Sequence, residues 1–506
     1  MIEFLSLNIL IFSPLLAAAI IASPLFGTNQ IYIRRFTKSF LTCHFIYSLL
    51  FLVFFYFGIE SYYNELNIFG KGWLNRLGIN AAFGVDGFTV VLLILISLVF
   101  LLAAISSKTV IRTKHKMYYS LLLLLFCTTL GIFSAKDMFV FLIFWQSELI
   151  PLYFLISEWG NVDRRESAMK YVLFVFTGSM LLTVAMIGLY FYSYYANGTL
   201  SSTIDFLRIY SSDGICPLFL QKLMFWTFFI GFAVKMPVCP LHTRLVDIQS
   251  KAVMPLNMII SAVLMNTAVY GFIRFNLELF PELFTNYAPV LMIFGAINVI
   301  WAALAACKQN DIKKIAAYSS ISYRGLFLLG IASLNKIGID GALFIMLSHV
   351  LIFSGLFFVV GFISQSFKTQ SLQEITGAGS RLPRFMFLTY IVVFAVMGIP
   401  LTIGFTGDFL CLTGAFSADF PNGDLPKIVT VFAGIFFILT VVYILRMFHW
   451  IFCGVPCEKR LYDISGHRLT VIAVICFAIV LFGIFPDTLM SIYNGVSDLL
   501  IESLRV

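Results

Sequence analysis

The sequence predicts an all-α polytopic membrane protein with about fourteen transmembrane helices, and three observations predict it. Hydrophobic residues fill 60% of the 506 positions and charged residues only 11%, where a soluble domain carries about a quarter. Apolar runs of roughly 20 residues, the length that spans a bilayer core as a helix, follow one another along the whole chain. The basic residues between those runs also alternate in density from one loop to the next.

With charges and turn residues as punctuation, the spans fall at 5–26, 39–59, 87–106, 118–135, 138–157, 168–195, 221–245, 252–273, 286–306, 313–333, 338–364, 384–416, 428–450 and 469–486. Arg34, Arg35 and Lys38 precede the second span, Asp86 the third, Lys114 and Lys116 the fourth, and Lys136 the fifth. Together they form one transmembrane domain over 1–506. The tail at 487–506 repeats Leu and Ile at helical spacing, and such an amphipathic segment is expected on the membrane surface or on a neighbouring subunit.

Loops after odd-numbered spans hold 22 Lys and Arg, while loops after even-numbered spans and the tails hold 9; acids divide 8 against 15. The positive-inside rule then puts both termini on the non-cytoplasmic side, the intermembrane space in a mitochondrion. The net charge of +8 is this asymmetry, and nucleic-acid binding is excluded because the basic residues are scattered over many loops. No basic leader precedes the first span, so neither a signal nor a transit peptide is expected. Fifty-six Phe with abundant Ile, Tyr and Asn suggest an AT-rich genome, which fits an organelle or an AT-rich bacterium. Nine Cys are scattered; Cys453 and Cys457, the one close pair, have no matching cluster and read as small apolar residues rather than metal ligands.

A charge at the bilayer centre costs roughly 2.5 to 3.5 kcal/mol on insertion scales, so an ionisable residue inside a span is a functional candidate. Five qualify: Glu148, Lys235, His349, Asp408 and Arg324. Glu148 lies midway between Lys136 and Trp159, at the midplane, as a counter-ion or a proton site. Lys235 is too central to snorkel. His349 has Ser348 and Ser354 for polar company, and Asp408 either functions or caps a half-helix. Arg324 cannot relay a proton and is expected to pair with an acid or to set a local potential.

Two of these charges stand beside helix breakers: Lys235 before Pro237 and Pro240, and Asp408 after Gly398 and Pro400. Broken helices at matching positions of two repeats point to ion pathways in transporters. The breaks fall in spans 7 and 12, and FAVKMP at 232–237 reads like FAVMGIP at 394–400. Spans 4–8 (118–273) and 9–13 (286–450) are therefore read as two copies of one unit, inverted because five is odd.

The blocks WQSELIPLYFLISEWG (145–160), VKMPVCPLHTRL (234–245), DIKKIAAYSSISYRGLFLLGI (311–331), MLSHVLIFSGLF (346–357) and GIPLTIGFTGDFL (398–410) resemble the antiporter-like membrane subunits of respiratory complex I, its chain 4 in particular by length. The resemblance covers roughly residues 80 to 460. It implies a membrane-arm subunit that contributes to proton translocation coupled to NADH:ubiquinone electron transfer, among other antiporter-like subunits and membrane lipids, in the mitochondrial inner membrane or a bacterial plasma membrane. It also implies that NADH, FMN, iron–sulfur clusters and ubiquinone are bound elsewhere in the complex and that this chain holds no metal or redox site. Subunits of multisubunit Na+/H+ antiporters and of membrane-bound hydrogenases share the superfamily.

Measured against that pattern, Lys235 and His349 match, and Asp408 stands at the exit of the twelfth helix. Gln146 occupies the position of the family's fifth-helix Glu, with Glu148 displaced by two residues. Such a step turns a side chain by about 200°, so Glu148 is expected to face away from the channel unless the helix bulges. Asn266 falls where the family has its eighth-helix Lys, Tyr323 where it has a His, and Lys251 replaces a loop Glu. Two mechanisms compete: Glu148 and Arg324 have taken over with rewired pairing, or the channel has decayed and the subunit is structural.

Overall fold

In hydrocarbon every backbone N–H and C=O has to be satisfied within its own segment, so apolar runs of this length become helices. The computed structural model describes residues 2–27, 29–56, 63–65, 78–79, 82–160, 163–197, 202–204, 217–421, 423–454 and 461–504; Cys457 lies outside them. The helices are α1 (Ile2–Ala22), α2 (Gln30–Tyr56), α3 (Gly87–Val110), α4 (His115–Ser134), α5 in two pieces (Met138–Ser147 and Leu149–Trp159) and α6 (Arg164–Asn197). Then come α7 in two pieces (Leu218–Lys235 and Thr243–Lys251), α8 (Met254–Leu277), α9 (Pro281–Lys308), α10 (Ile312–Ile331) and α11 (Lys336–Phe367). The chain closes with α12 in two pieces (Pro383–Val396 and Ile403–Phe416), α13 (Leu425–Phe452), α14 (Gly466–Ile484) and α15 (Asp487–Leu504). A short antiparallel ribbon pairs Tyr63–Glu65 with Ala82–Gly84 ahead of α3.

Among the described residues, eleven helices are long and apolar enough to cross a membrane. Leu7–Ala22 of α1 and the two pieces of α12 are shorter apolar helices, and α10 carries Lys313, Lys314 and Arg324 within its 20 residues. The chain is thus a multi-pass membrane protein. Its helices sort by depth: the apolar windows of α8 and α11 are wholly buried, whereas α6 and α13 turn Leu173, Val184, Phe191, Ile428, Ile435 and Ile438 outward. An apolar outer surface is what lipid requires, and the buried ionisable residues sit on or against the central helices.

The starts of α2 and α9 differ most from the sequence reading. α2 begins at Gln30, nine residues before its expected start, because Arg34, Arg35 and Lys38 are carried on its first turns rather than before it. α9 begins at Pro281, a residue whose fixed φ and missing N–H suit a first helical turn. The tail forms α15, and one side of it packs on this chain's own α3 and α11. Leu489, Tyr493, Ser497 and Leu500 form its buried stripe, and Tyr493 Oη donates to the Asp340 carbonyl at 3.3 Å. The amphipathic spacing was right, but the chain itself supplies the apolar surface.

α9 and α10 cross at Gly295 and Gly325, so closely that a Cβ built on Gly325 would stand 2.5 Å from the Gly295 carbonyl oxygen. Small residues at helix crossings let backbones approach in membranes. This contact sets the depth of Tyr323 and Arg324, the residues just before Gly325. Gly325→Val is expected to destabilise the fold by about 1–3 kcal/mol through overpacking, read as a lower unfolding temperature in detergent; an unchanged temperature would show that the crossing tolerates separation.

Candidate functional site

Pro151 has no N–H to give the Ser147 carbonyl, and a proline ring crowds the carbonyl four residues back. The α5 helix is accordingly interrupted at Glu148, between its two pieces. The backbone there nevertheless keeps helical φ and ψ of −62° and −31°, and the Glu148 N–H reaches the Phe144 carbonyl at 3.1 Å, so residues 146 and 148 stay on opposite faces. Glu148 Oε2 lies 2.8 Å from Lys235 Nζ, with both side chains buried. Gln146 instead lines an outer hollow with Ile150, Tyr153, Met169 and Phe176. The expectation that Glu148 faces away is therefore overturned: the face of α5 turned toward α7 is the one that carries Glu148, and Gln146 is on the opposite face.

Lys235 ends the first piece of α7, and its ammonium lies 3.9 Å from the centroid of the Trp145 ring. The Trp145 indole N–H donates to Ser179 Oγ on α6 at 2.9 Å, which holds the ring under the cation. Pro237 and Pro240 lie in the gap between the two pieces of α7. Backbone freed by that gap is recovered by Asn298 of α9, whose Oδ1 accepts from the Cys239 N–H at 2.9 Å and whose Nδ2 donates to the Ile321 carbonyl of α10 at 2.9 Å. Trp301 Nε1 donates to His242 Nε2 at 3.2 Å just beyond.

A second group lies where α8, α10 and α11 meet. Arg324, fully buried, donates through one terminal nitrogen to Asn266 Oδ1 at 2.8 Å and through the other to His349 Nδ1 at 2.9 Å. Asn266 Nδ2 donates to the carbonyls of Ala262 and Met346 at 2.9 and 3.1 Å, fixing the amide so that its oxygen faces the guanidinium. Asn266 follows a π-helical stretch at Ile260–Leu264, a local irregularity of the kind that clusters at functional sites. With Nδ1 accepting from Arg324, the His349 imidazole is in its neutral Nε2–H form. Among the described residues no carboxylate lies within 4 Å of Arg324, so the expected acid partner gives way to two neutral groups. Ser348 and Ser354 bond back to their own helix, at Ile345 and Leu351, and are not partners of His349.

The third group forms at the break in α12. Gly398 takes a left-handed φ of +64°, and Gly398 and Pro400 lie between the two pieces. The break exposes the Val396 carbonyl, which accepts from Tyr323 Oη at 2.6 Å; the same hydroxyl lies 3.3 Å from Asp408 Oδ2. Asp408 stands inside the second piece of α12 and is not its N-cap. Tyr323 and Arg324 thus bring the second and third groups together from adjacent positions. Lys251 stands apart, at the end of the second piece of α7.

Trp145, Ser179 and Asn298 were missed by a search for ionisable residues. Asn298 had a signal, as an isolated amide within an apolar span. Trp145 and Ser179 had none, because tryptophan and serine are ordinary in such helices.

A family model described as "NADH:quinone oxidoreductase/Mrp antiporter, TM" matches residues 135–436, and the chain belongs to that family. NAD(P)H-quinone oxidoreductase chain 4 2 of Thermosynechococcus vestitus is 34% identical over 426 residues, covering 83% of this chain and 78% of the relative. The chloroplastic NAD(P)H-quinone oxidoreductase chain 4 of Chara vulgaris is 32% identical, covering 98% of this chain and 100% of the relative. NADH-quinone oxidoreductase subunit M of Rickettsia prowazekii is 32% identical, with 85% of each covered. Two solved structures share the fold: respiratory complex I from Thermus thermophilus (TM-score 0.84, 22% identity, 98% of this chain and 99% of that one) and the Mrp complex of a Dietzia species (TM-score 0.85, 18% identity, all of both chains).

Glu148→Gln leaves the Lys235 ammonium buried without its carboxylate, and breaking such a pair destabilises by roughly 3–5 kcal/mol. Replacing both residues by Met is expected to restore most of that loss. Thermal unfolding of the two variants in one detergent measures the difference; equal destabilisation would mean the pair contributes little.

Proposed function

We propose that this chain is a membrane-arm subunit of a proton-translocating NADH:quinone oxidoreductase, packed among other antiporter-like subunits, and that its proton channel works with rewired pairing. The observation that carries the reading is the 2.8 Å ion pair between Glu148 and Lys235. A structural subunit gains nothing from two charges buried at mid-membrane, since apolar residues of similar volume stabilise as well or better. Relatives named as quinone oxidoreductase chains, at 31 to 34% identity, favour this reading over a Na+/H+ antiporter subunit, since the Mrp complex shares the fold at 18% identity.

In this reading Glu148 is the acid that opens and closes on Lys235, displaced by two residues from the family position but on the face of α5 that meets α7. Asn266 cannot hold a proton. Arg324 delivers a fixed positive charge to the same place from α10, by its bond to Asn266 Oδ1. That charge does not titrate, so proton exchange falls to the Glu148–Lys235 pair on one side and to His349 and Asp408 on the other, with Tyr323 bridging toward Asp408. Protonating His349 at Nδ1 would cost its bond from Arg324 and free the guanidinium, which couples the two groups. Glu148 Oε1, Arg324 Nε and Asp408 Oδ1 are buried without a protein hydrogen-bond partner, and buried polar groups of this kind take water, which supports a hydrated path.

In this reading the redox chemistry, with NADH, FMN, iron–sulfur clusters and ubiquinone, belongs to other subunits; among the described residues no group of His, Cys, Asp and Glu is set to hold a metal. The positive face of the loops is placed on the cytoplasmic or matrix side, with both termini opposite. The AT-rich composition favours the mitochondrial inner membrane, and bacterial relatives make a plasma membrane the alternative.

Lys235→Ala in the intact complex is expected to lower proton translocation several-fold at preserved electron transfer, measured as pumped protons per NADH oxidised in proteoliposomes; unchanged pumping would favour the structural role. A Gln146→Glu, Glu148→Gln double variant, which returns the acid to the family position, is expected to behave like Glu148→Gln alone because residue 146 faces the outer hollow. Recovery of pumping would overturn the rewired assignment.

A further inference from the structure

On the face where the odd-numbered helices end, a cavity of about 870 Å³ is lined by Arg112, Arg164, Lys251, Lys313, Lys368 and Arg468. Each lies in a different connection or within the first or last turn of a helix beside it: α3–α4, α5–α6, α7–α8, α9–α10, α11–α12 and α13–α14. No Asp or Glu is among its lining residues, and among the described residues none of the six cations lies within 4 Å of a carboxylate. Asp311, the nearest acid in sequence to Lys313, is occupied as the N-cap of α10, accepting from the Lys313 and Lys314 N–H groups.

This is a built site rather than a scatter of surface charge. Lys313 is buried and its ammonium donates to the Ala252 carbonyl at 2.9 Å. Arg164 is fixed by bonds to the Ser157 and Gly160 carbonyls, at 2.9 Å each, which leaves its remaining N–H groups free. The Arg468 guanidinium lies 5.2 Å from the centroid of the Phe362 ring. Holding six like charges around one cavity is unfavourable unless something negative enters, and a tetrahedral anion can accept from several guanidinium and ammonium donors at once. Val110, Val253 and Met254 add apolar wall beside the charges.

We propose that this cavity binds the phosphate of an anionic phospholipid headgroup. The argument for a lipid is the place and the mixed lining. The cavity opens at the level of the helix ends in a membrane protein, where basic pockets between transmembrane helices meet headgroups, and its apolar wall suits the glycerol and the first acyl carbons. A bound headgroup would tie together six connections that come from both halves of the chain. It is separate from the proton path proposed above, since Glu148, Lys235, His349 and Asp408 are not among its lining residues.

The test uses the intact complex purified from its own membranes. After exhaustive detergent exchange, native mass spectrometry is expected to find one anionic phospholipid retained with the wild-type chain. In Lys368→Gln, Arg468→Gln, retention is expected to fall on the order of 30-fold, from two basic residues each contributing attraction to an anionic lipid. The conservative Lys368→Arg, Arg468→Lys variant should retain the lipid, separating loss of charge from loss of fold. Equal retention in wild type and the Gln variant would overturn the proposal. So would a lipid-free wild-type complex that binds inorganic phosphate in a 31P NMR titration, which would assign the cavity to a soluble anion. Cross-linking of a Lys368→Cys variant to an acidic segment of a neighbouring subunit would likewise overturn it.

Discussion

The ion pair between Glu148 and Lys235 is the constraint on which the centre of this molecule depends. Two opposite charges taken out of water attract strongly, but the attraction offsets their desolvation only when geometry is good and the remaining polar atoms are served. The local structure supplies that geometry. Glu148 stands on the inward face of α5, the first piece of α7 ends on Lys235, and Trp145 places an aromatic face against the ammonium. Ser179 anchors the indole and ties α6 to the same point. Side chains from α5, α6 and α7 therefore serve one contact.

The same logic explains the broken helices. A gap in a membrane helix frees carbonyls and N–H groups that lipid cannot satisfy, so each gap has to be covered by protein. Asn298 covers the α7 gap and at the same time reaches a carbonyl of α10; the Tyr323 hydroxyl covers the α12 gap and at the same time approaches Asp408. Repair of the backbone and placement of the ionisable groups are thus one arrangement. The close crossing of α9 and α10 at Gly295 and Gly325 lets it form, because it sets how deep Tyr323 and Arg324 sit.

Charge in this centre is of two kinds. Lys235, Glu148, His349 and Asp408 can gain or lose a proton, while Arg324 cannot. A fixed charge buried against an amide and a neutral imidazole biases its surroundings without taking part in transfer. It gives Asn266, which has no charge of its own, a positive neighbour at 2.8 Å. Substitution at one position of a relay is therefore not equivalent to loss of the local charge, since the charge can arrive from another helix.

Composition and periodicity determined the membrane environment, the succession of helices, the breaks in α7 and α12 and the identity of the buried charges. Those depend on local sequence: apolar length, Pro and Gly, and the cost of placing a charge in hydrocarbon. Only the tertiary structure decided which charge meets which. Arg324 could have met an acid, and it met Asn266 and His349 because α8 and α11 pack on α10. The tail's apolar stripe could have met lipid, and it met α3 and α11. Six basic residues spread over six connections gave no motif, because their convergence is a property of how the helix ends are arranged and not of any stretch of chain.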